Sequence, residues 1–118
     1  MMNKYFKRSE FACKCGCGLD TVDAQLLAVL TDLREHFGAP VLINSACRCR
    51  HHNEAVGGKT HSYHLLGRAA DVRIPGVQPD RIYDYLNKKY PGALGLLCYL
   101  SFVHIDTRSG NAVRMEPL

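Results

Sequence analysis

Two histidines and one aspartate are the residues of this chain best suited to bind a metal ion. His64 and Asp71 lie on either side of Gly67, where the chain can turn from a loop into a strand predicted over 69–74. His104 follows much later, within a short apolar run. Neutral imidazole and carboxylate are both good zinc ligands, and a catalytic zinc usually has three protein ligands and a fourth position for water. The spacing therefore predicts a metal site formed by His64, Asp71 and His104, although similar polar pairs also occur on ordinary protein surfaces.

The residues around this predicted site form a longer spaced motif. It comprises Ser62, His64, Gly67, Ala69 and Asp71. A second motif, Phe-Val-His-Ile-Asp, occupies positions 102–106. Together they resemble the zinc D-Ala-D-Ala carboxypeptidase family, which includes phage endolysin peptidases and shares its fold with the hedgehog signalling domain. The resemblance covers most of the chain, from about residue 6 to residue 108, because it continues at Ser45, Arg48, Asn53, Val56, Gly57 and Gly58 and, near the N-terminus, at Glu10, Phe11 and Cys13.

This resemblance implies both a fold and an activity. The fold is of the α+β class, with a small antiparallel sheet and two main helices packed on it. The activity is that of a zinc-dependent metallopeptidase that cleaves the stem peptides or cross-links of peptidoglycan. Both a D-Ala-D-Ala carboxypeptidase and an endolysin-type L,D-endopeptidase agree with it. The bond cleaved stays open among D-Ala-D-Ala, L-Ala-D-Glu and a D-amino-acid cross-link.

Three further residues are candidates for contact with the substrate. Relatives use an arginine at the position of Arg48 to hold the substrate or the developing oxyanion, and a guanidinium suits both because it presents a fixed fork of donors. A loop salt bridge is the alternative role for Arg48. Ser62 is expected to orient the substrate or the metal loop, or simply to cap a turn. His61, next to the metal loop, is a candidate substrate-binding residue.

The general base is the weakest part of the assignment. Many relatives carry an acidic residue three positions before the third metal ligand, but this chain has Ser101 there. Asp106 lies on the same strand face as His104, so it is expected to act as a partner of that imidazole or as a proton acceptor. His61 and Glu116 are the other candidates. Ser101 also favours an alternative function, a catalytically inactive zinc-binding module that recognises the cell wall.

The chain has six cysteines, five of them in two short clusters. In a reducing compartment such clusters more often bind metal than form disulfides. A second, structural metal could be held by members of both clusters, Cys13, Cys15, Cys17, Cys47 and Cys49. A disulfide between the clusters, formed after release from the cell, and unpaired thiols are the alternatives. Cys98 stands alone.

Length and composition indicate an ordinary globular protein. The 118 residues, 47% of them hydrophobic and 22% charged, predict one domain over 1–118 with an irregular, cysteine-rich segment at 1–19. No apolar run reaches membrane-spanning length, and the first residues lack the apolar stretch of a secretory signal. We therefore expect a monomer that is made in the cytoplasm, has no membrane partner and reaches the cell wall after release, as in phage or prophage lysis.

The formal net charge of +4 favours anionic partners. Peptidoglycan with its acidic polymers is one such partner and nucleic acid is another. A nucleic-acid-binding protein built around the first cysteine cluster is therefore a third hypothesis. The basic residues are dispersed rather than gathered on one stretch, which argues against a dedicated nucleic-acid interface. We expect peptidoglycan peptides, and no nucleic acid, as the partner.

Apolar periodicity and turn residues predict the elements that must position the site. One helix is predicted over 22–37, where leucines recur every three to four residues. A second begins at Pro79 and ends near Lys89, and a short helical turn is predicted between them, within 50–59. The predicted strands cover 41–43, 69–74, 94–99 and 101–106, with a last short strand that includes Val113.

Overall fold

The first predicted helix is present as α1, Ala24–Phe37, in the computed structural model, which describes residues 2–117 and leaves Met1 and Leu118 outside. It begins slightly later than predicted because Asp23 is its N-cap. The Asp23 side chain accepts a hydrogen bond from the Leu26 backbone N–H at 3.1 Å, which satisfies one of the free donors at the helix start. The apolar stripe is buried as expected, at Leu26, Val29, Leu30 and Leu33.

The other helices also lie where the sequence places them. Helix α2, Arg50–Ala55, is short and follows Cys49, whose sulfur accepts a hydrogen bond from the His52 backbone N–H at 3.4 Å. Helix α3 has the predicted bounds, Pro79–Lys89. Proline suits the first helical position because its fixed φ is already helical and its missing N–H would have no partner there. Within residues 2–117, no helix is both long enough and apolar enough to cross a membrane.

Five strands form one sheet. They are β1 (Leu42–Ser45), β2 (Ala69–Arg73), β3 (Gly95–Cys98), β4 (Val103–Asp106) and β5 (Val113–Met115). Their order in the sheet is β1-β2-β4-β3-β5. All neighbours are antiparallel except β3 and β5, which are parallel. The predicted α+β fold is confirmed, and the parallel pair at one edge makes the sheet mixed.

The two faces of the sheet carry different kinds of residue. Because side chains alternate along a strand, one face carries the buried apolar residues that join the helices in the core, including Ala70, Val72, Leu96, Val103 and Ile105. On the other face a row of directly opposite residues crosses four strands. In order across the sheet, this row consists of Ser45, Asp71, His104 and Leu97. The cross-strand register therefore brings two of the predicted metal ligands side by side, away from the core.

Candidate active site

The structure brings the three predicted ligands together. Asp71 on β2 and His104 on β4 are direct cross-strand partners, and His64 comes from a 3₁₀ turn, Tyr63–Leu66, that precedes β2. The Asp71 Oδ1 atom lies 2.9 Å from His104 Nδ1 and 3.4 Å from His64 Nε2. One ligand atom from each of the three residues lies within 4.8 Å of the others. These residues therefore form a compact group of two imidazoles and a carboxylate.

The second nitrogen of each imidazole is already occupied by an acceptor. His64 Nδ1 lies 2.6 Å from the Ala46 carbonyl oxygen, and His104 Nε2 lies 2.8 Å from Asp106 Oδ2. In the metal-bound state, with a proton kept on each of these two nitrogens, the nitrogen of each ring that faces Asp71 Oδ1 would be free to bind the ion. Zinc-binding histidines are typically oriented in this way. Zinc bonds of about 2.0–2.1 Å would separate tetrahedral ligand atoms by about 3.4 Å, which is close to the spacing seen here, so the donor set fits a zinc ion.

Local hydrogen bonds fix the turn that carries His64. The Ser62 hydroxyl accepts a hydrogen bond from the His64 backbone N–H at 3.1 Å, so Ser62 caps this turn. The Arg48 backbone N–H donates to the His64 carbonyl oxygen at 2.9 Å. The His64 side chain is buried, whereas its neighbour His61 is exposed. The sequence left open whether Ser62 caps a turn or orients the metal loop. Here a single hydrogen bond does both.

Asp106 is fully buried beside His104. Both of its oxygens are engaged, because Arg108 donates from Nε at 2.7 Å to Oδ1 and from Nη2 at 2.6 Å to Oδ2, in addition to the contact with His104. The neighbouring strand leaves room for this carboxylate only because it has Gly95 there: a Cβ on Gly95 would lie 2.4 Å from Asp106 Oδ2. The arrangement favours Asp106 as a positioning residue for His104 over the alternative role of proton acceptor.

The ionisation of the site follows from these contacts. Burial alone would raise the pKa of Asp71, but hydrogen bonds from His104 and His64 outweigh it and lower that pKa well below its usual range. Burial likewise acts to raise the pKa of Asp106, and Arg108 and His104 reverse the effect. Burial would lower the pKa of His104, whereas its bonds to the two carboxylates raise it. Both carboxylates are therefore anionic near neutral pH, as metal ligation and its support require.

Arg48 lies at the edge of the same group. Its guanidinium donates to the Ser45 hydroxyl at 3.1 Å and to the Asn53 Oδ1 atom at 3.2 Å, and it lies 3.5 Å from Asp71 Oδ2. Asn53 is buried and donates in turn to the Lys59 carbonyl oxygen at 2.8 Å. Sequence reasoning gave no role to Asn53 or to Arg108. Two sequence features could have pointed to them: Asn53 belongs to the motif, and Arg108 lies two residues after Asp106.

A cleft of about 460 Å³ opens over the three ligands. Cationic and histidine side chains, Arg48, Lys59, His61 and Arg108, line part of it, and aromatic residues, Tyr63, Tyr99 and Phe102, line another part. The Tyr99 and Phe102 rings are stacked, with centroids 4.6 Å apart. Of the general-base candidates, His61 lines the cleft. Glu116 and Ser101 are exposed and are not among its lining residues in the described part of the chain.

The cysteines gather only in part as the sequence predicts. Four of them, Cys13, Cys15, Cys17 and Cys49, form a cluster whose sulfur atoms all lie within 4.8 Å of one another. Cys47, which sequence reasoning grouped with them, is not part of it: its side chain is buried, and its backbone N–H donates to the Phe11 carbonyl oxygen. This part of the prediction is wrong because neighbours in a short sequence cluster need not point to one place. No disulfide joins any of the six cysteines, all of which lie in the described part of the chain.

Comparison with known proteins agrees with this site. A protein-family model described as Peptidase M15 matches residues 4–106, which is most of the chain and includes all three predicted ligands. A search of curated proteins finds no match.

Proposed function

The chain belongs to the Peptidase M15 family, and from this premise we propose that it is a zinc-dependent peptidase that cleaves the stem peptides or cross-links of peptidoglycan. The observation that carries the proposal is the group formed by His64, Asp71 and His104 at the floor of the cleft. Three protein ligands leave a fourth position on zinc for water, as catalytic sites require. A structural zinc site would instead be closed by a fourth protein ligand.

Each group around the metal has a role in this proposal. When bound, zinc supplies a Lewis acid for the scissile carbonyl and lowers the pKa of a water molecule toward neutrality. The Ala46 carbonyl and Asp106 keep the two imidazoles in the tautomers that leave a lone pair for the metal. Asp71 supplies the anionic ligand. The sheet fixes Asp71 and His104 before any ligand arrives, so little reorganisation accompanies binding.

Arg48 is proposed to stabilise the substrate oxygen on which negative charge develops. The hydrogen bonds that its guanidinium donates to Ser45 and Asn53 hold it in place at the side of Asp71. A fixed donor at this position is effective because it needs no reorientation as the charge forms. The alternative role, a loop salt bridge, would leave Arg48 with Asp71 alone, whereas three partners and a place in the cleft lining favour the catalytic role.

His61 is proposed as the group that accepts the proton from the attacking water. It lines the cleft and is exposed, whereas Asp106 is buried with both oxygens occupied. Imidazole is suited to the task because its ordinary pKa is close to neutral pH. In this proposal, His61 takes the role of the acidic residue that many relatives have at the position of Ser101.

The cationic lining of the cleft favours a substrate that carries carboxylates. Stem peptides of peptidoglycan do so, and Lys59, which lines the cleft, is proposed to receive a free carboxylate of the substrate. This favours cleavage near the end of a peptide, as in a D-Ala-D-Ala carboxypeptidase, and an endolysin-type endopeptidase is the other form of the same proposal. The biological setting we propose is phage or prophage lysis, with the enzyme acting as a monomer on the wall after release from the cytoplasm.

The alternative is a zinc-binding module that recognises the cell wall without cleaving it, which Ser101 favours. Digestion of purified peptidoglycan, followed by mass spectrometry of the products, separates the two. The peptidase predicts new amines that disappear when a chelator is added and return with zinc. Release of single D-alanine would identify a carboxypeptidase, and release of larger fragments an endopeptidase. Binding to the wall without any zinc-dependent product would contradict the peptidase.

A further inference from the structure

We propose that Cys13, Cys15, Cys17 and Cys49 hold a second zinc ion, a structural one, that ties the N-terminal segment to the start of α2. This site lies outside the cleft, and its existence does not depend on the proposed peptidase activity. The four sulfurs come from two parts of the chain: three lie within five residues of one another, and Cys49 lies 36 residues beyond Cys13. A metal here would therefore join segments that are distant in sequence.

The distances between the sulfurs fit one central zinc ion. Cys13 Sγ lies 3.4 Å from Cys15 Sγ and 3.8 Å from Cys49 Sγ, and the Cys15 and Cys49 sulfurs are 3.6 Å apart. Zn–S bonds of about 2.3 Å place the sulfurs of a tetrahedral site about 3.8 Å apart. A disulfide would instead bring one pair to about 2.05 Å and leave the others aside. Near-equal spacing among three sulfurs, with a fourth close by, is the arrangement of a metal site.

The backbone around the cluster is built to turn toward it. Gly16 and Gly18, which follow the second and third cysteines, both have positive φ, 84° and 91°, so the chain can wind back on itself within a few residues. The turn is closed by a hydrogen bond from the Cys13 N–H to the Leu19 carbonyl oxygen at 2.7 Å. A larger side chain at either glycine would strain this loop, because other residues rarely adopt such φ values.

Backbone N–H groups also point at the sulfurs. The Cys49 N–H donates to Cys13 Sγ and the His52 N–H donates to Cys49 Sγ, each at 3.4 Å. Such donors stabilise negative charge on sulfur, as thiolate ligation requires. Four thiolates around Zn²⁺ would carry a formal charge of −2, which such N–H donors help to stabilise. Binding would release the thiol protons to solvent.

The position of the site indicates what the ion would stabilise. Cys49 directly follows Arg48, and the segment just before it supplies the Ala46 carbonyl that orients His64. The Arg48 N–H is bonded to the His64 carbonyl oxygen. A metal held by Cys49 would thus fix one end of the segment on which the cleft depends. Its role is structural, because four protein ligands leave no position for water or substrate.

Alkylation of the full-length wild-type protein tests the site without any substitution. Cys15 and Cys17 are exposed, so as free thiols they would react at once with a thiol reagent under native conditions. The proposal predicts that all four ligand cysteines are protected in the zinc-loaded protein and that a chelator alone makes them reactive. Immediate reaction without chelator would overturn it in favour of unpaired thiols. Protection that only a reductant removes would overturn it in favour of a disulfide.

Metal analysis of variants provides an independent test. Wild type is expected to carry two zinc ions per chain, Cys15→Ser one, and the matched controls Cys47→Ala and Cys98→Ala two.

If Cys15→Ser fails to fold, the variant that lacks both His64 and His104 tests the cysteine site instead, since its cysteines are intact. Loaded with cobalt, it is expected to show the sulfur-to-cobalt charge-transfer absorption of a thiolate site. Absence of that absorption, or loss of zinc from Cys47→Ala as from Cys15→Ser, would overturn the proposal. Activity enters neither test, so the peptidase proposal can fail while this one stands.

Discussion

The two groups of candidate metal ligands in this molecule lie on different kinds of backbone. In the cleft, Asp71 and His104 are adjacent across two paired strands, and their positions follow from the register of the sheet. In the cysteine cluster every ligand lies in a loop or at a helix start, and the loop ends are joined by few backbone hydrogen bonds. The sheet register sets the positions of Asp71 and His104 without a metal, whereas the zinc proposed for the cysteines would join two segments that are distant in sequence. An open, pre-formed site suits catalysis, and a closed site that orders loops suits a structural role.

The largest effect is expected when a ligand is removed from the sheet site. His64→Ala should reduce peptidoglycan cleavage to the level of the chelated enzyme and remove one zinc per chain, because two ligands cannot keep the ion. The fold should persist, since the sheet does not depend on the metal. Activity, zinc content and circular dichroism measure the three effects, with the exposed His51→Ala as the matched control. Loss of both zinc ions from His64→Ala would contradict the expectation that the two sites bind zinc independently.

His61 tests whether the chemistry needs a residue in addition to the three metal ligands. His61→Gln is expected to lower kcat by about 10²–10⁴-fold, the range for loss of a general base, while zinc content stays as in wild type. Retention of wild-type kcat would show that another group takes the proton.

Arg48 lies where the two regions meet, because Cys49 follows it and Asp71 accepts from it. Arg48→Ala is expected to lower kcat by about 10²–10³-fold, as does removal of a fixed donor to a developing oxyanion. The control is Arg50→Ala, an exposed arginine on the other side of Cys49. A rise in KM with unchanged kcat would assign Arg48 to substrate binding alone.

Asp106 should affect the cleft site but not the cysteine cluster, since it orients the ligand His104. Asp106→Asn is expected to weaken zinc binding in the cleft by about 10–100-fold, the usual cost of losing an orienting carboxylate. The cysteine cluster should be unaffected. Competition with a chromophoric chelator measures both affinities, and the exposed Asp84→Asn serves as the control. Equal weakening at both sites would mean that the substitution acts through the fold.

The smallest effect is expected outside both regions, at Asp32 on α1. Burial alone would raise its pKa, but Lys89, Tyr85 and Tyr90 on or after α3 donate to it and lower the pKa below its ordinary value of 3.8. A lowered native pKa stabilises the fold above the unfolded value, and this contribution is lost as pH falls through the native one. Asp32→Asn should therefore cost about 1–2 kcal/mol of unfolding free energy near neutral pH.

Denaturant titrations of wild type and Asp32→Asn at neutral and acidic pH measure this contribution. The difference between the two proteins should shrink below about pH 4, where Asp32 of the unfolded chain takes up a proton while the native carboxylate is still ionised. Zinc content should not change. A difference that stays constant into acid would show that the ionised form of Asp32 has no special stabilising role.

Much of this arrangement can be predicted from the sequence because the signals are local. Pro79 and the periodic apolar residues after it set the bounds of α3, and the motif around Gly67 indicates which residues meet at the candidate metal site. The parallel pairing of β5, the inclusion of Ser45 in β1 and the exclusion of Cys47 from the cysteine cluster could not be predicted. Each depends on which distant segment pairs with or covers a residue, and a single sequence carries no local sign of that choice.

The roles of individual polar residues show the same limit. Alternation along a strand places His104 and Asp106 on one face, so their contact can be expected from the sequence. It does not show that Arg108 occupies both oxygens of Asp106, or that Gly95 leaves room for them. These contacts decide whether Asp106 positions His104 or accepts a proton, and they can be seen only in the folded structure.

The most direct test is to locate the metal. Crystals of the wild-type protein, grown with zinc, would be measured at the zinc absorption edge, and an anomalous difference map would be calculated. We predict one peak between His64, Asp71 and His104 and a second among the four cysteine sulfurs. A map with no peak at the floor of the cleft under these conditions would contradict the central claim that this sheet holds a catalytic zinc.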